Sequence, residues 1–178
     1  MSLHEDIERR LQRLAAGTGD AWDAWFEFIS RPEPPLGSEL ASALLNTAPD
    51  DRERIGHLVA GLTWHSAPDA RARLEDLLLS AGQDLNREDL VEAIERIGDP
   101  RSVPILVRAL DCPDPGEGLR PKIALALGRI GGPEAERTLG ALANDTRVDV
   151  SRWARIALAE VKGEPPPAED DDEEEEGE

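Results

Sequence analysis

The chain of 178 residues has no tyrosine, two phenylalanines and four tryptophans, so aromatic residues make up only 3% of it. A core must then come from Leu, Ile, Val and Ala. Strands draw on Tyr, Phe and β-branched clusters, and their scarcity points to helices. The single cysteine, Cys112, excludes an internal disulfide and a Cys-based zinc cluster, and fits a reducing compartment. No apolar run approaches the ~20 residues that span a bilayer. Charges follow Met1 at once in His4, Glu5, Asp6 and Glu8, where a secretory signal would be apolar. These absences predict a soluble, cytoplasmic protein with no membrane partner.

Charge of one sign is plentiful. The net charge is −18, unevenly spread: residues 164–178 hold ten carboxylates and no base, residues 1–86 hold 15 acids against 8 bases, and residues 87–163 hold 13 against 12. Such a field repels phosphate backbones and anionic lipid and attracts basic surfaces. Direct nucleic-acid binding is therefore not expected.

Self-similarity organises the middle of the chain. Pro68, Pro100 and Pro133 stand 32 and 33 residues apart, each placed to open a helix, where a missing N–H is no loss. Upstream of them run the columns Leu58/Leu90/Ile123, Val59/Val91/Ala124, Leu62/Ile94/Leu127 and His65/Ile97/Ile130. Downstream run Leu74/Leu106/Leu139, Leu77/Ala109/Leu142 and Leu78/Leu110/Ala143. Within each helix these positions form one stripe, and Leu106, Leu110, Leu127 and Ile130 are expected to be buried together. Gly98 and Gly131 are placed to end first helices in the left-handed conformation that satisfies the last carbonyls. Each unit is thus helix, corner, helix, and such pairs must stack to bury their apolar faces.

The segments Glu92-Ala-Ile-Glu-Arg-Ile-Gly-Asp-Pro100 and Ala124-Leu-Ala-Leu-Gly-Arg-Ile-Gly-Gly-Pro133 resemble the short bacterial HEAT-like repeats, including those of phycobilin lyase-type proteins. The resemblance is carried by residues 86–162 and extends back to 50, with Ala154 to Val161 as a half copy. It implies an α-solenoid of antiparallel helix pairs, a HEAT-like superhelix over residues 50–163. It also implies pairing of Arg120 and Arg152 with the loop aspartates Asp114 and Asp145. Tetratricopeptide and ankyrin repeats share the period, but their signature phrases are absent.

Residues 1–49 do not follow the columns and read as an irregular helical N-terminal cap. Leu3 to Ala16 suits one helix, with Ile7, Leu11 and Leu14 on a face, and Asp20 to Ser30 a second, with Trp22, Trp25, Phe26 and Ile29 on a face. Arg31 to Gly37 reads as a loop because it contains Pro34-Pro35, with Ser38 capping a third helix to Asn46. Beyond residue 163, three prolines and then seven consecutive carboxylates, Asp170 to Glu176, predict a stiff linker and a disordered acidic tail.

No phrase for nucleophilic, phosphate-cradling or zinc-hydrolase chemistry occurs. His57 and His65 stand eight apart, but His65 fills a column held elsewhere by isoleucine, and two nitrogens alone make a poor zinc site. Cys112 lies in a loop with no histidine beside it to serve as base. The acid pairs Glu88/Asp89 and Asp50/Asp51 fall at helix starts, where carboxylates meet the helix dipole. Trp153 reads as core. Trp64 falls off its helix's stripe and reads either as packed on the cap or as an exposed anchor.

Catalytic, metal and cofactor residues are therefore not expected. The expected function is a non-catalytic protein-binding adaptor or scaffold, its partner received on outward second-helix positions: Arg73 and Asp76, Ile105 and Arg108, Thr138 and Ala141. The acidic charge favours a basic protein partner, and the tail serves either to attract it or to keep the chain soluble. Two alternatives stay open: a toxin-neutralising immunity protein, and the subunit of a bilin-handling lyase that the repeat resemblance implies.

Overall fold

The computed structural model describes residues 2–113 except 81 and 83, residues 118–165, and residue 167. Among them are ten α-helices and no strand. The N-terminal segment gives α1 (Leu3–Ala15), α2 (Ala21–Ile29) and α3 (Pro34–Leu45), and the repeats give α4 (Arg52–Leu62), α5 (Arg71–Ser80), α6 (Arg87–Ile97), α7 (Val103–Ala109), α8 (Leu119–Ile130), α9 (Pro133–Leu142) and α10 (Val148–Lys162).

Three α-helix starts, those of α1, α4 and α6, follow from side-chain oxygens that accept the first free N–H groups. Ser2 and Glu5 close a capping box on α1. Asp51 caps α4 by accepting the N–H of Arg54, and Asn86 caps α6 by accepting that of Glu88. The acid pairs are thus used where the helix dipole welcomes them. One expectation is corrected at α3. Pro34 and Pro35 do not hold a loop open but form its first turn, because neither residue's missing N–H would have had a partner there.

The corners differ in detail. Gly98 ends α6 in the left-handed region at φ 69°, ψ 22°, as expected, whereas Gly131 combines φ 73° with ψ −167° and is followed by Gly132 at φ 95°. Pro133 opens α9 directly, but Pro68 and Pro100 each open a three-residue 3-10 turn before the α-helix begins. The half copy expected at residues 154–161 is the end of a full helix of 15 residues, α10.

The elements stack as an α-solenoid. α4, α6, α8 and α10 lie side by side, α5, α7 and α9 form a second row, and each second helix packs on the first helix of the next unit. The column residues form the core: Leu58, Leu90, Ile123, Leu74, Leu106, Leu139 and Leu127 are all fully buried. Leu110 and Ile130 are only partly buried against that core, a correction to the expected four-residue cluster. Each sits in the last turn of its helix or just past it, where fewer neighbours surround the side chain.

A polar joint ties α5 to the next corner. The Ser102 hydroxyl, fully buried, donates to the Glu75 carboxylate at 2.7 Å, and Arg71 donates to that carboxylate from one turn earlier. Asp99 accepts the N–H and the guanidinium of Arg101, with Arg71 at 3.4 Å. The bonds from Arg101 hold the Asp99 carboxyl down at about 2. A carboxylate whose pKa is lowered by folding contributes stability above its ordinary value, and that contribution disappears as pH falls through the folded value. Urea denaturation at several pH values between about 4 and 2 should then show a steeper loss for the natural chain than for Asp99→Asn. Parallel profiles would contradict the assignment.

Candidate protein-binding surface

The six expected second-helix positions are divided over three helices. Arg73 and Asp76 lie on α5, Ile105 and Arg108 on α7, Thr138 and Ala141 on α9. Asp76, Arg108 and Ala141 are exposed and the other three are half-buried. Thr138 returns its hydroxyl to the Glu134 carbonyl, so its polar group is spent within α9. Among the described residues, Arg73, Asp76 and Arg108 form no ion pair. Their charges stand unspent on adjacent second helices.

The first-helix row treats its cations differently. Arg96 donates to the Thr63 carbonyl of the preceding unit at 2.9 Å, and Arg129, one repeat later, pairs with Glu95. Arg120 donates to the Leu110 carbonyl, and Lys122 pairs with Glu92 at 2.7 Å. The arginine column therefore fastens unit to unit. The pairing implied for Arg120 with Asp114 lies outside the described residues. The one implied for Asp145 is corrected: its carboxylate holds Arg147, two residues on, at 2.6 Å.

The largest departure concerns the aromatics. Trp25 is fully buried and Phe28 and Ile29 nearly so, but Trp22 and Phe26 are 59% and 55% exposed. Both belong to the expected α2 stripe. They stand 33 residues before Ile55 and Val59, so α2 keeps the repeat register more closely than the cap reading supposed. At the Phe26 column the interior units carry Val59, Val91 and Ala124, all buried. Small side chains let neighbouring first helices close together. Rings at the same columns hold α2 off α4 and remain in part uncovered.

These rings meet partners from α4. Trp22 lies edge-on to His57 at 5.0 Å between centroids, and Phe26 edge-on to Trp64 at 5.5 Å. Trp22 to Phe26 on α2 thus runs in the same direction as His57 to Trp64, a stretch that begins in α4 and ends two residues past it. Trp64 packs on Phe26 of the N-terminal segment and is 47% exposed. His57 is half-buried, and that burial holds its pKa below the ordinary histidine range against the charges of Glu53 and Asp51. His57, Glu53, Asp51 and Leu11 also line a shallow cleft between α1 and α4. A ring at a column where other units carry small aliphatics was the available signal for this seam.

The remaining candidates have local roles. His65 Nε2 lies 2.6 Å from the Ile29 carbonyl oxygen, which makes it a tie between α4's end and α2. Cys112 is half-buried against the core after α7. Burial first, then the charges of Glu92 and Glu88, raise the Asp89 carboxyl. Among the described residues no three His, Cys, Asp or Glu side chains gather as a metal site would require. Trp153, expected in the core, is 38% exposed; α10 instead buries Val150, Ser151, Ala154 and Ala157, small residues that admit close contact with α8. No helix among the described residues is long and apolar enough to cross a membrane.

Residues 72–159 match the family model described as HEAT repeats. No curated protein and no solved structure matches the chain.

Proposed function

We propose that the chain, which matches the model of the HEAT-repeat family over residues 72–159, a family whose repeats generally mediate protein–protein contacts, is a non-catalytic, cytoplasmic scaffold holding its partner on the face of α5, α7 and α9. The observation that carries this reading is the contrast between the two rows. Arg96, Lys122 and Arg129 of the first-helix row are consumed in fastening units together, while Arg73, Asp76 and Arg108 form no ion pair among the described residues. Rim charges of this kind select partners and steer encounter more than they add affinity. The partner we infer is a protein with a basic surface, drawn by the net charge of −18 and by the ten carboxylates of residues 164–178.

The test is affinity purification from the native host with the full chain and with an Asp76→Arg/Arg108→Glu variant. Both substitutions lie at exposed positions and should leave the circular dichroism and melting temperature unchanged. We expect a partner retained by the natural chain and weakened by tenfold or more in the variant. Equal retention by both chains would refute the assignment of this face.

A further inference from the structure

We propose that the aromatic seam between α2 and α4 is a separate docking site for a basic amphipathic helix of a partner protein, seated on Trp22, Phe26 and Trp64 and held at its rim by Asp23, Glu27 and Glu53. The seam lies beyond the α5–α7–α9 face and does not depend on it.

Three observations lead there. Phe26 is uncovered at a column that the interior units bury as Val59, Val91 and Ala124, so the repeat is interrupted there, and Trp22 and Trp64 stand exposed on either side of it. Large aromatic rings that meet partners on one side and solvent on the other are the usual anchors of protein contacts. The rim is acidic. Asp23 and Glu27 directly follow Trp22 and Phe26, and Glu53 lies one turn before His57 on the same face of α4. Among the described residues Asp23 and Glu53 make no ion pair, and Glu27 has only Arg31 at 3.4 Å, with its own side chain 77% exposed.

That rim decides the occupant. A second copy of the chain, with net charge −18, would bring carboxylates against carboxylates, and anionic lipid would be repelled in the same way. A lysine or arginine gains twice here, from the carboxylates and from the negative face of an indole ring. Seven residues separate His57 from Trp64, which stands two residues past the end of α4 at Leu62, a span of roughly 10 Å at helical rise. That is the reach of anchors at i, i+4 and i+7 on a docked helix. Aliphatic anchors of the partner would meet the rings and its cations the rim.

The four tryptophan indole N–H signals of the full chain read the test directly, with a synthetic Lys/Leu amphipathic helical peptide as the probe. We expect the signals of Trp22 and Trp64 to move on titration while those of buried Trp25 and of Trp153 on α10 stay. Trp22→Ala/Phe26→Ala should weaken the peptide tenfold or more, and Asp23→Lys severalfold. Asp76→Arg/Arg108→Glu should leave its affinity unchanged, so failure here and failure of the second-helix face are told apart. Should the double variant fold poorly, Asp23→Lys at an exposed position reads the same site. Movement of Trp153 equal to that of Trp22, which means diffuse attraction to the acidic chain, would overturn the proposal. So would equal binding of a Glu/Leu peptide, an unaltered affinity in the ring variant, or self-association that the ring variant abolishes.

Discussion

Leu127→Ala should lower the free energy of unfolding by about 2–5 kcal/mol, the range seen when a fully buried leucine is cut back in a packed core. Leu127 is 0% exposed in the second half of α8, the helix that packs against both α6 and α10. A cavity there has few ways to collapse, since its walls belong to three helices. For a chain of this size each kcal/mol moves the melting temperature by roughly 2–4 °C, so the loss should be plain in a thermal scan. Leu45, 51% exposed at the end of α3, is the internal comparison, and its alanine variant should change stability by less than about half a kcal/mol. A loss that small for Leu127 would show that the repeat columns do not define the core.

The next residue reverses the usual rule for glycine. Ala in place of a mid-helix Gly normally gains up to ~1 kcal/mol, because Gly has more backbone freedom to lose. At Gly128 a Cβ would stand 2.7 Å from the Ala157 Cβ and 3.2 Å from its Cα, so α8 and α10 would have to part. Gly128→Ala should therefore cost about 1–3 kcal/mol, as overpacking does. Gly140, in α9, has nothing within 4 Å of the same position. Gly140→Ala should accordingly stabilise, by about 0.5–1 kcal/mol. Urea denaturation of both variants settles the sign. Ala157→Gly should recover part of the loss in a double-mutant cycle. Stabilisation by both alanines would refute the close approach of α8 and α10.

Much of this architecture was legible because solenoids write their stacking into one period. The three prolines, the Gly98 corner and most columns from Leu58 to Leu139 needed only spacing and helix chemistry. The errors among the aromatics share a cause. Apolar periodicity marks which face of a helix is apolar, but not whether a neighbour arrives to cover it. Trp22 and Phe26 share a stripe with Trp25 and Ile29, and only the width of the α2–α4 seam separates buried from exposed. Trp153 failed likewise, since α10 meets α8 through small residues and leaves the indole partly uncovered. Pro34-Pro35 was misplaced for a different reason: a proline pair bars helix interior and helix opening unequally, and the pattern alone does not say which is meant. The unspent charges of Arg73, Asp76 and Arg108 were foreseen as outward positions, but their freedom from ion pairs required the arrangement of their neighbours.

The corner between α8 and α9 carries a consequence of molecular handedness. Gly131 and Gly132 both have positive φ, and around both the space where a Cβ would go is open for 4 Å. An ordinary side chain is therefore barred there by the chirality of the L-residue alone and not by crowding. Reflected, the two backbone geometries fall in the extended region that any residue accepts. A residue of the opposite hand would fit both positions, so a corner that genetic substitution cannot tighten is open to chemical synthesis.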